Sequence, residues 1–252
     1  MKIVVCIKEV PDSAATLVAE DGEASWGDAP LVINPWDEYA VEAALNQDGD
    51  VIALSVGGED AKVALKHALA MGCKEAVLVS DDALAEMDTQ AAAKVLAAAI
   101  QKIGDVDMAF FGRQAIDGDA GITPAQTARL LGWPSLTLAA SLDVADGAVK
   151  VERSVEEGKE SVSAKLPAVF SLVKDYGEPR YPSFMGIRKA SRANIPVWDL
   201  AELGIEAPAA VVEVVGIENP PARDVSVEMI TGGSPAEIAE TLADKLMAEK
   251  IL

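Results

Sequence analysis

The stretch GRQAIDGDAGITPAQTARLLGWP, from Gly112 to Pro134, gathers the residues best suited to chemistry. It follows an apolar run, DMAFF, and leads into a helical pattern. Gly112 falls at the carboxyl end of a predicted strand, where open α/β sheets bind ligands. Gly118 and Gly121 let the backbone approach a ligand closely or adopt positive φ. Thr123 followed by Pro124 reads as an N-cap and first-turn pair. Such a loop aims the free N–H groups of a helix start at an anion, and Arg113 adds a positive charge. Asp117 and Asp119 would repel a bare phosphate. They fit better as caps of loop N–H groups, as partners of Arg113, or as acceptors from ribose hydroxyls. The same residues also fit a tight strand-to-helix turn in which the acids are only caps. The spacing is neither a dinucleotide G-x-G-x-x-G nor a P-loop.

Two further loops end at the same edge of a parallel sheet: CIKEVPDS after the first strand and SVGGED after the next. Three strand-end loops of small and polar residues outline a nucleotide-sized crevice. Bond-making catalysis has little support. The single histidine, His67, sits within a helical pattern, and no Cys or His cluster has metal-ligand spacing. Cys6 lies inside a strand and Cys73 follows a helix stop, so both read as packing residues. Asp81 and Asp82 read as solvated loop charges. No acid–base pair emerges, so we expect no catalytic residue and no metal, and read the chain as a binder or carrier.

The elements that must position these loops alternate. Apolar runs at 2–10, 50–58, 75–81, 107–114 and 167–173 read as buried strands. Helical patterns separate the first four: 36–46, 59–71 closed by Gly72, and 89–103 capped by Asp88 and closed by Gly104. This alternation predicts parallel strands, right-handed crossovers and a layered α/β domain. After Pro134 the texture predicts a hairpin turning at Asp146-Gly147 and a further strand from ESVSAK onward. From about Asp175 repeated prolines exclude one regular element. We therefore divide the chain into an α/β domain, 1–175, and an extended arm with a terminal helix, 176–252, much of it lying on another chain. The terminal helix is capped by Ser234 with Pro235 and Glu237, and either serves interaction or packs on its own sheet.

The totals bound the partners. Lys and Arg number 21 against 41 Asp and Glu, a formal charge of −20. That excludes nucleic acid and anionic membranes as natural partners. Two cysteines do not make a disulfide framework, the N-terminal apolar run is too short to span a bilayer, and a cytoplasmic protein is expected.

Blocks along the whole chain resemble the β subunit of electron transfer flavoproteins: KIVVCIKEVPDS, INPWDEYAVEAAL, ALAMGCKEAVLV, GRQAIDGDAGITPAQTARLLGWP, LPAVFSLV and EPRYPSFMGIRKASR, in order. The resemblance implies an adenine-nucleotide α-hydrolase-like, Rossmann-like fold. It implies a heterodimer with an α subunit, and an FAD held mostly by α and partly covered by β. It further implies a second nucleotide on β, either AMP or, in the electron-bifurcating group, another FAD. Electrons would come from an acyl-CoA or other dehydrogenase and pass to a quinone reductase or other acceptor. Carried over residue by residue, the nucleotide site comprises Cys6, Asn34, Pro35, Trp36, Asp37 and Val56. It continues with Gly112, Arg113, Gln114, Ala115, Ile116, Asp117, Gly118, Asp119, Gly121 and Thr123. The segment YPSFMGIRKASR resembles the family's partner-recognition loop, with Phe184 at the docking position and Met185, Ile187, Arg188 and Lys189 around it. Burial of Phe184 against the α subunit is the alternative. Ser13 after Asp12 departs from the mitochondrial pattern. Asp88-Thr89 is similar to a bifurcating segment, but Ala92 and Ala93 replace its hydroxyl residues, which favours AMP. A rival from another class is an adenine-nucleotide sensor resembling universal stress proteins.

Overall fold

The computed structural model describes residues 1–221 and 226–251. Its residues fall into two compact units, Met1–Ile217 and Glu218–Leu252. The first strand, β1 (Lys2–Cys6), is followed by β2 (Glu9–Pro11), β3 (Val18–Glu20), β4 (Glu23–Ser25) and β5 (Leu31–Ile33). Then come α1 (Pro35–Leu45), β6 (Asp50–Val56), α2 (Lys62–Met71), β7 (Glu75–Val79), α3 (Thr89–Ile103), β8 (Met108–Gly112) and α4 (Thr123–Leu131). The strands β9 (Ser135–Ala145), β10 (Ala148–Val155), β11 (Gly158–Lys165) and β12 (Ala168–Leu172) follow. The unit closes with α5 (Phe184–Ala190), β13 (Val197–Trp198) and α6 (Leu200–Leu203); α7 (Pro235–Ala248) belongs to the second unit.

Among the described residues, nine strands form one sheet in the order β11-β10-β9-β12-β8-β1-β6-β7-β13. All neighbours from β9 to β13 run parallel, whereas β9, β10 and β11 pair antiparallel. Alternation along each strand builds two cores. Ile3, Val5, Ala53, Leu78, Phe110 and Phe170 face α1 and α2. Val4, Cys6, Leu54, Val79, Phe111 and Val169 face α3 and α4. Side chains at successive residues point to opposite faces, so one apolar run serves both layers. The helices meet the sheet largely through alanine, including Ala40, Ala44, Ala64 and Ala68, all fully buried. Phe110 and Phe170, on neighbouring strands, stack with centroids 4.9 Å apart.

The expected helix stops hold. Gly72 and Gly104 adopt positive φ after α2 and α3, a region with little cost for glycine. Asp146-Gly147 turns the β9–β10 hairpin with both residues at positive φ. Ser234 and Glu237 form the capping box of α7. One expectation needs correction. Asp81 is not a loose surface charge. Its carboxylate accepts from the Ala83 N–H at 3.0 Å and the Leu200 N–H at 3.3 Å, tying α6 to the end of β7. By compactness residues 176–217 belong to the first unit, where α5 packs on α2 and β13 extends the main sheet beside β7. Of the expected arm, residues 222–225 and 252 lie outside the described residues.

Asp88 does more than cap α3. One oxygen accepts from the Ala91 N–H at 2.7 Å, and the other accepts from the Val211 and Val212 N–H groups at 2.6 and 3.1 Å. The Ala91 bond is the main cause holding its carboxyl below the ordinary aspartate value. Asp88→Ala is expected to free both elements at once. Amide exchange at Ala91, Val211 and Val212 should accelerate together, while exchange in β1 and β8 stays at the wild-type rate. Because the carboxyl is depressed, the same amides should loosen in the wild-type chain as pH falls through its folded-state pKa.

Candidate functional site

Strand β1 lies between β8 and β6. The chain leaving β1 returns to the sheet as β6 on one side, and the chain leaving β8 returns as β9 on the other. The strand order therefore reverses between β1 and β8, and a crevice opens at their carboxyl ends. Residues 6–9, 34–37 and 112–123 meet there.

The start of α1 stitches the crevice. Asn34 N–H donates to the Lys8 carbonyl at 2.8 Å, Asn34 Nδ2 donates to the Gln114 carbonyl at 2.8 Å, and Asn34 Oδ1 accepts from Ile116 N–H at 3.2 Å. Asp37 spans the two strand ends. Its Oδ2 accepts from Lys8 N–H at 2.8 Å and its Oδ1 from Gly112 N–H at 3.2 Å. Pro35 opens α1, where its missing N–H costs nothing. Gly112 is required by close approach. A Cβ there would lie 2.7 Å from the Trp36 carbonyl carbon and inside contact distance of Asp37 Oδ1.

The loop after β8 differs in detail from the sequence reading. Gly121 has φ +65, and Asp119 takes a left-handed φ of 52. Gly118 takes neither a positive φ nor a close approach, and a Cβ there would meet open space. Ile122, not Thr123, is the N-cap of α4, with no side-chain cap hydrogen bond; Thr123 is the first helical residue and Pro124 follows it. The α4 start thus keeps its N–H groups for something other than a side-chain cap. Asp117 pairs with Lys8, 2.5 Å from Nζ, and Asp119 accepts from Gln114 Nε2. Neither partners Arg113, whose guanidinium lies 5.6 Å from the centre of the Trp36 ring.

Two acceptors from the loops of this region, Asp117 Oδ1 and Glu9 Oε2, are buried without partners among the described residues, as is the Ser55 hydroxyl near the end of β6. Burial lifts the Glu9 carboxyl above its ordinary value, with the charges of Asp117 and Asp60 adding to the shift. Lys8, Glu9 and Ser55 were not among the expected site residues. The first two stand inside the CIKEVPDS loop that sequence reading marked, and Ser55 opens the SVGGED loop marked beside it. Cys6 packs among the α3-side apolar residues, and burial, then the Asp37 charge, pushes its thiol well up. Cys73 is likewise raised by burial to about 12. Neither is a thiolate. Val56 ends β6, half-buried, beside the same rim. His67 pairs with Glu38 across α1 and α2, with Nε2 2.9 Å from Oε1. A cleft of about 470 Å³ adjoins the crevice between Trp36, Arg113, Leu138, Ser154 and Lys174. Leu138 holds a positive φ of 60 at the irregularity in the β9–β12 pairing, with its N–H bonded to Ser171 Oγ at 3.0 Å. No group of His, Cys, Asp and Glu suited to a metal ion occurs among the described residues.

A second surface lies apart from the crevice. Helix α5 presents Phe184, 81% exposed, with Met185 and Ile187 also exposed, and Tyr181 just before it is 95% exposed. Arg188 and Lys189 occupy its last turn. Large apolar side chains displayed together beside cations mark an interaction face.

Residues 27–203 match the family model described as the electron transfer flavoprotein domain. That span holds α1, the loop after β8 and α5. The chain belongs to the electron transfer flavoprotein family. It is 35% identical to the caffeyl-CoA reductase-Etf complex subunit CarD of Acetobacterium woodii, over all of both chains. It is 34% identical to the electron transfer flavoprotein subunit beta of Megasphaera elsdenii, again over all of both chains. It is also 34% identical to the corresponding subunit of Bacillus subtilis, over 99% of this chain and 98% of the other. Within the electron transfer flavoproteins the chain is therefore of β-subunit type, and the stress-sensor reading is set aside.

Proposed function

We propose that this electron transfer flavoprotein chain pairs with an α subunit, covers part of the FAD held there, and binds AMP in its own strand-end crevice. The observation that carries the nucleotide is the β1/β8 crevice itself. There the α4 start lacks a side-chain cap, and Asp117 Oδ1 is buried without a partner. The first suits a phosphate and the second a ribose hydroxyl. Arg113 and Trp36 offer a flat cationic and aromatic rim for the base or for the partner's cofactor. AMP is favoured over a longer dinucleotide by the start of α3. Ala93 there is fully buried and offers no hydroxyl, and Asp88 is already engaged by Ala91, Val211 and Val212.

FAD supplies the one- and two-electron chemistry; this chain supplies a wall, excludes water and fixes orientation. We assign Cys6, Asp37 and Asn34 to shaping the crevice, and residues 112–123 to holding the nucleotide. Tyr181, Phe184, Met185 and Ile187 form the docking face for a dehydrogenase. Arg188 and Lys189 steer it within an otherwise acidic surface. The name of the Acetobacterium relative places that protein in a complex with a caffeyl-CoA reductase, which supports a redox partner of the acyl-CoA class, and we take a dehydrogenase of that class as the donor. No helix of the described residues is long and apolar enough to cross a membrane, and we assign the chain to the cytoplasm. The second unit, with α7, is assigned to embracing the α subunit.

The test is the nucleotide released when the purified heterodimer is denatured. One flavin and one AMP per heterodimer are expected. Two flavins would identify a bifurcating carrier instead, and no adenine compound at all would refute the crevice as a nucleotide site.

A further inference from the structure

Helix α5 has seven residues. Isolated helices shorter than about 12–15 residues do not hold their shape in water, so this one depends on anchors. One anchor lies beneath it. Gly186 rests on the backbone of α2, where a Cβ would fall 3.1 Å from the Ala70 carbonyl carbon and inside contact distance of its oxygen. Ser183 Oγ accepts from the Gly186 N–H at 2.9 Å, capping the same turn.

The other anchor lies ahead of it. Arg180 Nε donates to Glu42 Oε2 at 2.7 Å, Nη2 donates to Glu42 Oε1 at 3.0 Å, and the Arg180 backbone N–H reaches the same Oε2 at 3.0 Å. Nη2 also donates to Asn46 Oδ1 at 2.8 Å. Glu42 and Asn46 sit one turn apart on α1 and its cap. The Glu42 side chain is only 12% exposed. Burial alone would raise its carboxyl, but the Arg180 bonds and charge outweigh burial and hold it below the ordinary value. A planar fork on a shielded carboxylate fixes an angle as well as a distance, which lysine cannot do. Helix α1 begins at the crevice with Trp36 and Asp37 and ends at this clamp.

We propose that Arg180 is a positioning residue for partner docking. Its fork on Glu42 and Asn46 sets the attitude of the Tyr181–Ile187 face, and α1 fixes that face relative to the nucleotide crevice. The proposal rests on the reading of α5 as the docking face.

The assembled heterodimer is compared as wild type, Arg180→Ala, Glu42→Ala, the double variant and Phe184→Ala. The donor is the dehydrogenase isolated from the source cells by its ability to reduce the wild-type heterodimer. Dithionite serves as a reductant that needs no docking. Arg180→Ala and Glu42→Ala are each expected to raise KM for the dehydrogenase about tenfold, equivalent to roughly 1.4 kcal/mol. The value of kcat and the dithionite rate should stay at wild-type levels. The double variant should be no worse than either single one, because both remove the same contact. Trypsin cleavage after Arg188 and Lys189 should quicken in all three. An unchanged KM, or additive single effects, overturns the proposal. If Phe184→Ala leaves KM unchanged while Arg180→Ala raises it, the docking face is misassigned and the proposal falls with it. If only Phe184→Ala raises KM, the face stands and the clamp falls. Should Arg180→Ala not assemble, Arg180→Lys keeps the charge, loses the fork, and is expected to show the same rise in KM.

Discussion

Gly112→Ala is expected to lower stability by about 3 kcal/mol and to empty the crevice of its nucleotide. The added carbon would press on the backbone of Trp36, 2.7 Å from its carbonyl carbon and 2.8 Å from its oxygen. Backbone at the first turn of a helix cannot swing aside as a side chain can. Either β8 or α1 must shift, and with it the Asp37 bridge. Gly118→Ala is the control. A Cβ there meets nothing and φ is not positive, so it is expected to stay within about 0.5 kcal/mol of wild type. Thermal unfolding and the adenine content of the purified heterodimer measure both. Equal behaviour of the two variants would dismiss the close approach as a requirement.

Asp37 carries the second large effect. It is 6% exposed, and its two oxygens hold the N–H groups of Lys8 and Gly112. Asp37→Ala leaves both donors without acceptors and should cost about 2–6 kcal/mol, at roughly 1–3 for each orphaned donor. Asp37→Asn keeps the volume but turns an amide N–H₂ toward one of them and should cost less. The pH response separates charge from shape. Burial lifts the carboxyl from 3.8 to about 7, against the pull of the Lys8 and Gly112 N–H groups and the Asn34 side chain. Between those values the folded chain keeps a proton that the unfolded chain has released. Stability from this group is therefore greatest below the unfolded value, falls as pH rises toward 7, and is level above it. Asp37→Asn removes that slope. Urea midpoints from acid to neutral pH should converge between wild type and Asp37→Asn as pH rises. Parallel curves would mean that the carboxyl titrates normally.

The two effects show where sequence was a good guide. β1, β6, β7, β8 and β12 were legible because buried parallel strands need unbroken apolar runs, as in KIVVC and MAFFG. Asp88, Gly72, Gly104 and Ser234 were legible because caps and stops act over a few residues. β13 was not legible. Its two residues, Val197 and Trp198, follow Pro196 and pair with β7 more than a hundred residues earlier, a contact no local pattern records. The crevice was found for the right physical reason, a strand end meeting a helix start. Its details were set at long range. Asp37 was expected among nucleotide contacts, yet its oxygens are used by the protein's own backbone. Of the roles open to the two aspartates, pairing with Arg113 is not the one taken: Lys8 and Gln114 engage them, and Arg113 lies over an aromatic ring.

The return of the chain at β13 has a mechanical consequence. β12 and β13 are separated by four strands, a span of about 24 Å at sheet spacing. Residues 173–196 cross that width on the outside of α1 and α2, fastened to α1 by Arg180 and to α2 by Gly186. They form a strap buckled at both ends, to β12 inside the sheet and to β13 at its edge, rather than a flap with a free end. A load applied at Phe184 would be shared between the two sides of the sheet. With the Arg180 and Gly186 fastenings intact the strap slackens only when an end strand lets go, so in the wild-type chain α5 and β13 should open to solvent in one event.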